Sequence, residues 1–239
     1  HHRVSRGPSE VSRSIGGRLM SPRPSAIVVA VNTVMLWLAT VVAASALEGW
    51  GVEELRSWLA GGRTGVLLGP SGVGKSALVN ALLAEVAATL DRVVILEDTR
   101  ELNCAAEDCV TLRTKPGLVS LADLVRSTMR LRPDRIIVGE VRGAEALDML
   151  KAWNTGHPGG LATVHANSAR GALYRIEQLV QESVVTIPRR LIAEAIDILV
   201  FLEGRGSARR VTEVVKVEGL ETDGDYALTS VFNTQHQAQ

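Results

Sequence analysis

Gly69-Pro70-Ser71-Gly72-Val73-Gly74-Lys75-Ser76 fits the pattern G-x-x-x-x-G-K-[ST] at every fixed position. Thr64-Gly65-Val66-Leu67-Leu68 precedes it as a short apolar run fit for a buried strand. Ala77, Leu78, Ala81, Leu82 and Ala84 to Val86 follow in a helical pattern. Strand, glycine loop and helix together turn a motif match into a phosphate site. Gly72 and Gly74 let the backbone turn its N–H groups inward, and the helix start adds positive potential for an anion. Lys75 is placed to reach β- and γ-phosphates, and the Ser76 hydroxyl to bind Mg²⁺. The candidate nucleotide-binding residues are therefore Gly69, Pro70, Ser71, Gly72, Val73, Gly74, Lys75, Ser76 and Ala77, with ATP and Mg²⁺ as the cofactors expected.

The chain has 239 residues, of which 46% are hydrophobic, so a substantial core is available. Its 26 basic and 26 acidic side chains cancel, and overall charge gives no support to direct nucleic-acid binding. The two cysteines, Cys104 and Cys109, lack a second pair, which argues against zinc. They read as reduced structural thiols or as one disulfide.

Residues 1–24 hold five arginines and three prolines and read as a disordered or irregular arm. Ser25 to Leu47 has no charged residue over 23 positions, long enough to span a bilayer. With arginines before it and Glu48, Glu53 and Glu54 after it, the positive-inside rule would export the phosphate loop to where ATP is scarce. A signal peptide ending at Ala44-Ser45-Ala46 has the same defect. A buried strand, Ala26 to Val31, plus a hydrophobic helix or a second strand within a soluble domain is the reading preferred. Gly51 to Ala60 completes this 25–60 segment as a short amphipathic helix.

From residue 61 to 232 the pattern is that of one α/β domain. Arg92 to Leu96 and Arg135 to Gly139 are apolar core strands, Leu161 to Val164 and Ile198 to Leu202 two more. Val110 to Arg113 suits an outer strand and Arg210 to Val217 an antiparallel edge strand. Ser120 and Asp123 form a capping-box start to a helix that Pro133 ends. Further helices run over residues 146–153, 168–181 and from Pro188, a favoured first-turn residue. Residues 233–239 read as a frayed tail. Strands alternating with helices predict a mostly parallel sheet covered on both faces.

Three strand ends carry Glu97 and Asp98, Glu140, and His165. In a parallel sheet they share one edge with the phosphate loop, where such sheets place their chemistry. Hydrolysis needs a metal anchor, a group that orients water and stabilisation of the γ-phosphate. Glu140 is the candidate for holding Mg²⁺, directly or through water, or for polarising the attacking water. Pairing with Arg142 is the structural alternative. Glu97 and Glu101 are candidates for the water-activating base, Asp98 and Arg100 for a structural pair, and His165 for sensing the γ-phosphate.

Glu97-Asp98-Thr99-Arg100-Glu101-Leu102 resembles the aspartate box of the type II/IV secretion ATPase superfamily. Residues 131–143, Leu131 to Gly143, resemble its Walker-B region, and Thr155 to Ser168 its histidine box. The subgroup it looks most like is the TrbB-type conjugative-transfer ATPases, over residues 80–226. The resemblance implies a RecA-like P-loop core and a hexameric motor that hydrolyses ATP. It also implies a peripheral, cytoplasmic place at the inner membrane, among the membrane proteins of a conjugation or type IV secretion apparatus. The family's metal and water roles would fall to Glu97, Glu101 and Glu140, and nucleotide coupling to His165. Arginines that complete the family's sites from a neighbouring lobe or subunit have candidates in Arg100, Arg113, Arg130 and Arg142.

The front differs. Ser45 to Leu55 followed by Gly65 to Leu82 resembles circularly permuted ribosome-assembly GTPases, which would make the chain a fusion joined near residues 80–84. A GTPase, or a nucleotide-binding scaffold without turnover, is therefore the alternative. The guanine-reading Asn-Lys-x-Asp and the Asp-x-x-Gly of GTPases are both missing from the expected places.

Overall fold

A computed structural model describes residues 62–87 and 89–233. The arm, the 25–60 segment and the tail beyond Asn233 lie outside the described residues. Eight strands form one sheet in the order β3-β2-β4-β5-β1-β6-β7-β8. They are β1 Gly65–Leu68, β2 Val93–Glu97, β3 Cys109–Arg113, β4 Arg135–Val138, β5 Leu161–Val164, β6 Ile198–Glu203, β7 Arg210–Leu220 and β8 Tyr226–Asn233. The first six are mutually parallel, and β7 and β8 add an antiparallel hairpin. The helices are α1 Lys75–Val86, α2 Leu121–Thr128, α3 Glu145–Asn154, α4 Ala169–Gln181 and α5 Arg189–Ala195.

The central strands are buried on both faces, so they read as continuous apolar runs without alternation. Their side chains still separate by face, because the strand period is two. Val66, Leu68, Val94, Leu96, Ile136 and Val138 face α2, α3, α4 and α5 in the larger core. Leu67, Val93, Ile95 and Ile137 face α1, whose Leu78, Val79, Leu82 and Leu83 cover them. Among the described residues the two faces are therefore covered unequally, by four helices and by one. Leu102 and Ala106, from the 98–108 connection, fill out the thinner side. That connection joins parallel β2 and β3 without a helix.

Local signals hold where they were strongest. Ser120 Oγ accepts from the Asp123 N–H at 3.2 Å, and the Asp123 carboxylate accepts from the Ser120 N–H at 3.0 Å, closing the capping box of α2. The helix ends before Pro133 in a 3₁₀ turn, Met129–Leu131, with Arg132 in the left-handed region at φ 52°. Trp153 of α3 is 4% exposed and donates its indole N–H to the Ile136 carbonyl at 3.1 Å, so its one polar atom is satisfied.

Two expectations need correction. β7 is not an edge strand: β8 pairs outside it. Asp223-Gly224 in the connecting turn is the hairpin signal that marks this. Pro188 precedes α5 as its cap, with Arg189 the first helical residue. Cys104 and Cys109 are both free thiols. Burial, then the adjoining Cys104 thiol, pushes Cys109 up to about 11.

Leu150 of α3 is fully buried in the larger core. Leu150→Ala is expected to cost about 2–5 kcal/mol, the usual range for such a cavity. Ser120→Ala, which removes one exposed cap, costs less. Urea unfolding measures both, as a lower midpoint at unchanged slope.

Candidate active site

β1, β2, β4, β5 and β6 run parallel, so their carboxyl ends lie along one edge of the sheet. A cleft of about 360 Å³ opens there. The phosphate loop forms its floor, with Gly72 and Gly74 at φ 75° and 102°, values that side-chain-bearing residues rarely take. Ser71, Gly72, Gly74, Lys75 and Ser76 line it, with Glu97, Glu101, Glu140 and His165 around them. All four expected catalytic candidates are thus brought together. Val73 instead packs in the core at 2% exposure, and Ala77 is exposed on α1. Gly69 and Pro70 meet the site through their carbonyls.

Lys75 is 6% exposed. Its ammonium donates to the carbonyls of Gly69 at 2.8 Å and Pro70 at 2.9 Å, two of its three donors. Burial pulls its pKa below the ordinary lysine value, and the charges of Glu140 and Glu101 oppose that pull. The next residue, Ser76, donates its hydroxyl to Glu101 Oε2 at 2.6 Å.

Glu97 ends β2 and is 2% exposed. Its Oε1 accepts the N–H groups of Glu101 at 2.9 Å and Leu102 at 2.8 Å, turning the chain back over the cleft. Its Oε2 is buried without a hydrogen-bond partner. Glu97 thereby holds the segment that carries Glu101. Asp98 accepts from the Thr114 hydroxyl at 2.9 Å. Among the described residues no ion pair joins Asp98 to Arg100, so the expected structural pair is not formed.

Glu140 lies just beyond β4 and is held on both oxygens. Arg142 Nη2 sits 2.6 Å from Oε2, and His165 Nε2 sits 2.8 Å from Oε1. Burial pushes the carboxyl up, but the Arg142 hydrogen bond and charge, with His165 and Lys75, more than reverse this. The group titrates below the usual carboxylate range. Pairing with Arg142 and a place in the cleft are not alternatives here: Glu140 has both. His157, the other histidine of the same stretch, bonds the Pro133 carbonyl through Nδ1 at 2.6 Å and is not among the residues that line the cleft.

Of the four arginines considered, Arg142 lines the cleft. Arg100 and Arg113 are exposed near the ends of β2 and β3. Arg130 lies in the 3₁₀ turn that leads to the start of β4, the far end of the sheet.

Three contributors were not singled out from sequence. Thr163, 3% exposed in β5, donates to the Gly139 carbonyl at 2.6 Å and ties β5 to the end of β4. Its signal is a single hydroxyl in an apolar strand. Glu145 accepts from the N–H groups of Arg142 at 2.7 Å and Gly143 at 2.9 Å and fixes the turn after Glu140. Asn80 donates to the Glu101 carbonyl at 3.0 Å and accepts from the Asn103 N–H at 2.8 Å. It lies four residues after Ser76 in α1, hence on the same helix face.

A phosphate loop at the end of a central parallel strand, ringed by carboxylates and a histidine from the neighbouring strand ends, is the site of a RecA-like P-loop protein. The profile of the family described as "Type II/IV secretion system protein" matches residues 51–202, and the chain belongs to that family. The match runs through the phosphate loop and across residues 80–84, where the sequence reading placed a join. The conjugal transfer protein TrbB of Rhizobium radiobacter is 51% identical over 176 residues, 73% of this chain and 52% of the relative. The type IV secretion system protein PtlH of Bordetella pertussis is 36% identical over 184 residues, 70% of this chain and 54% of the relative. The chain thus spans about half the length of these curated relatives. Among solved structures, the VirB11 ATPase of the Brucella suis type IV secretion system, crystallised with sulphate, superposes with a TM-score of 0.63. It is 26% identical, over 87% of this chain and 64% of that one.

Arg142→Ala is expected to raise the Glu140 pKa, because burial remains while the chief lowering influence is gone. In the wild type the stabilisation tied to the depressed Glu140 is present above the unfolded-state value, about 4.3. It disappears as pH falls through the lower folded value. Carbon-13 titration of the Glu140 carboxyl in both proteins gives the order of the two values, and acid unfolding should begin at higher pH in the variant.

Proposed function

We propose that residues 61–232 form the ATPase domain of a motor subunit in a conjugative DNA-transfer or type IV secretion apparatus. In this reading ATP hydrolysis is coupled to subunit movement in a homo-hexameric ring. The observation that carries the proposal is the convergence of Lys75, Ser76, Glu101, Glu140 and His165 in one cleft. Belonging to the secretion family, with conjugal-transfer and type IV relatives, supplies the setting.

The residues fit Mg²⁺–ATP. Among the described residues no cluster of three or more His, Cys, Asp or Glu could hold a metal alone. That suits Mg²⁺, which keeps waters and takes one or two protein oxygens beside substrate phosphates. Ser76 would hold it directly and Glu140 directly or through water, and when bound it neutralises charge on the phosphates. Lys75, released from the Gly69 and Pro70 carbonyls, binds the β- and γ-phosphates, whose charge also offsets the loss of hydration. Glu101, released from Ser76, or Glu140 orients the attacking water. Glu97 holds Glu101 in place from below. His165 touches Glu140 and so reports γ-phosphate occupancy to β5 and α4.

Among the described residues no helix is long and apolar enough to cross a membrane. We place the protein at the cytoplasmic face of the inner membrane, as a peripheral partner of the apparatus's membrane proteins. ATP is available there, and the phosphate loop requires it.

Steady-state hydrolysis of ATP and GTP, with mass measured on the same samples, tests this reading. The expected result is ATP turnover by a hexamer. Lys75→Ala should lose binding. Glu140→Gln should still bind while turnover falls about a hundredfold or more, the scale for loss of a charge-positioning catalytic group. GTP preference in a monomer would favour a GTPase, and tight binding without wild-type turnover would favour a scaffold.

A further inference from the structure

β1 has β5 on one flank and β6 on the other. The phosphate loop after β1 therefore lies between the Glu140–His165 pair on the β5 side and the β6–β7 turn on the opposite side. The end of β6 is seated hard against the loop. A Cβ on Gly69, where φ is 142°, would fall 2.3 Å from the Leu202 carbonyl oxygen, so the start of the loop meets the end of β6 backbone to backbone. The turn is closed by the Ala208 N–H on the Arg205 carbonyl at 3.0 Å.

Arg209 ends this turn beside the loop. Its Cδ is 3.6 Å from where a Cβ on Gly74 would stand. Gly74 is one residue before Lys75, so the Arg209 stem lies beside the anion-binding loop, outside the residues that line the cleft. Arg209 is exposed, and among the described residues no hydrogen bond or ion pair engages it. Of the two acids nearest in sequence, Glu213 stands opposite Phe201 and Glu203 opposite Arg210 in the β6–β7 register. A cation without an acid, held beside a loop built to bind anions, has the chemistry of a phosphate ligand.

We propose that Arg209 binds the phosphate chain of the nucleotide at its nucleoside-proximal end, a contact shared by ATP and ADP. The proposal rests on the nucleotide reading above. The distal end of the chain belongs to Lys75, Ser76 and the Glu140 side. A chain crossing the loop from there reaches the β6 flank with its proximal phosphate.

Calorimetric binding of Mg²⁺–ATP, Mg²⁺–ADP and tripolyphosphate to wild type, Arg209→Ala, Arg209→Lys and Arg205→Ala tests the assignment. Arg209→Ala should weaken ATP and ADP by the same factor, about tenfold or 1.4 kcal/mol. It should also weaken tripolyphosphate, which has no base. Arg209→Lys should recover part of the loss, and Arg205→Ala should bind as wild type. Equal melting temperatures exclude a folding defect, and Arg209→Gln, which keeps much of the stem, replaces any variant that melts early. Unchanged ATP and ADP affinity in Arg209→Ala would overturn the assignment while leaving the nucleotide reading intact. So would a loss confined to ATP, which moves the arginine to the γ-phosphate. A loss for ADP with unchanged tripolyphosphate places it on the base and overturns it equally. A wild-type protein that binds none of the three would bring down the nucleotide reading itself.

Discussion

Parallel strands cannot be joined by tight turns. Each return must cross a face of the sheet, and each strand must point its carboxyl end the same way. In the order β3-β2-β4-β5-β1-β6, this constraint sends five crossovers over the faces and leaves six strand ends along one edge. The phosphate loop, Glu97, Glu140 and His165 meet there because the chain has no other way to build this core. Thr163, bonded to the Gly139 carbonyl, and Glu97, bonded to the 101–102 backbone, then convert neighbouring strand ends into one fixed wall.

Buried charge sets the electrical character of that wall. Lys75 is nearly inaccessible, and its two carbonyl partners satisfy it only in part. Glu101 and Glu140 compensate it through space. Glu140 is in turn held by Arg142 and His165. Each cation thus has an anion near it, and each of Glu101 and Glu140 has a partner for which a phosphate could compete. In the proposed reading, an incoming phosphate chain competes with Glu101 for Ser76 and with the loop carbonyls for Lys75. That reading couples occupancy of the cleft to the 98–108 connection and, through His165, to the start of α4.

Much of this is readable from residue order. The glycine loop, the apolar strands and the capping box of α2 are local, and each carries its own chemical signature. The meeting of Glu97, Glu140 and His165 follows from one further premise, that the sheet is parallel. The β7–β8 hairpin shows the limit. Leu228, Ser230 and Phe232 alternate too weakly to announce a strand, and β8 is defined by its pairing with β7. The helix-free crossing from β2 to β3 is equally silent, because its support comes from Leu102 and Ala106 packed under α1.

What the sequence by itself determined is the kind of site: a phosphate loop on a parallel sheet, with carboxylates and a histidine at the strand ends. Those features depend on near neighbours in the chain and on the periodicity of strand and helix. Which oxygen of Glu140 meets which cation was decided only by the tertiary structure. So were the role of Glu97 in holding the 101–102 backbone and the placing of Arg209 beside Gly74. They range from neighbours in the chain, Glu140 with Arg142 and Glu97 with Leu102, through the strand ends that carry Glu140 and His165, to Arg209 and Gly74, more than a hundred positions apart. Their distances are set by packing of the whole sheet, which no local pattern encodes.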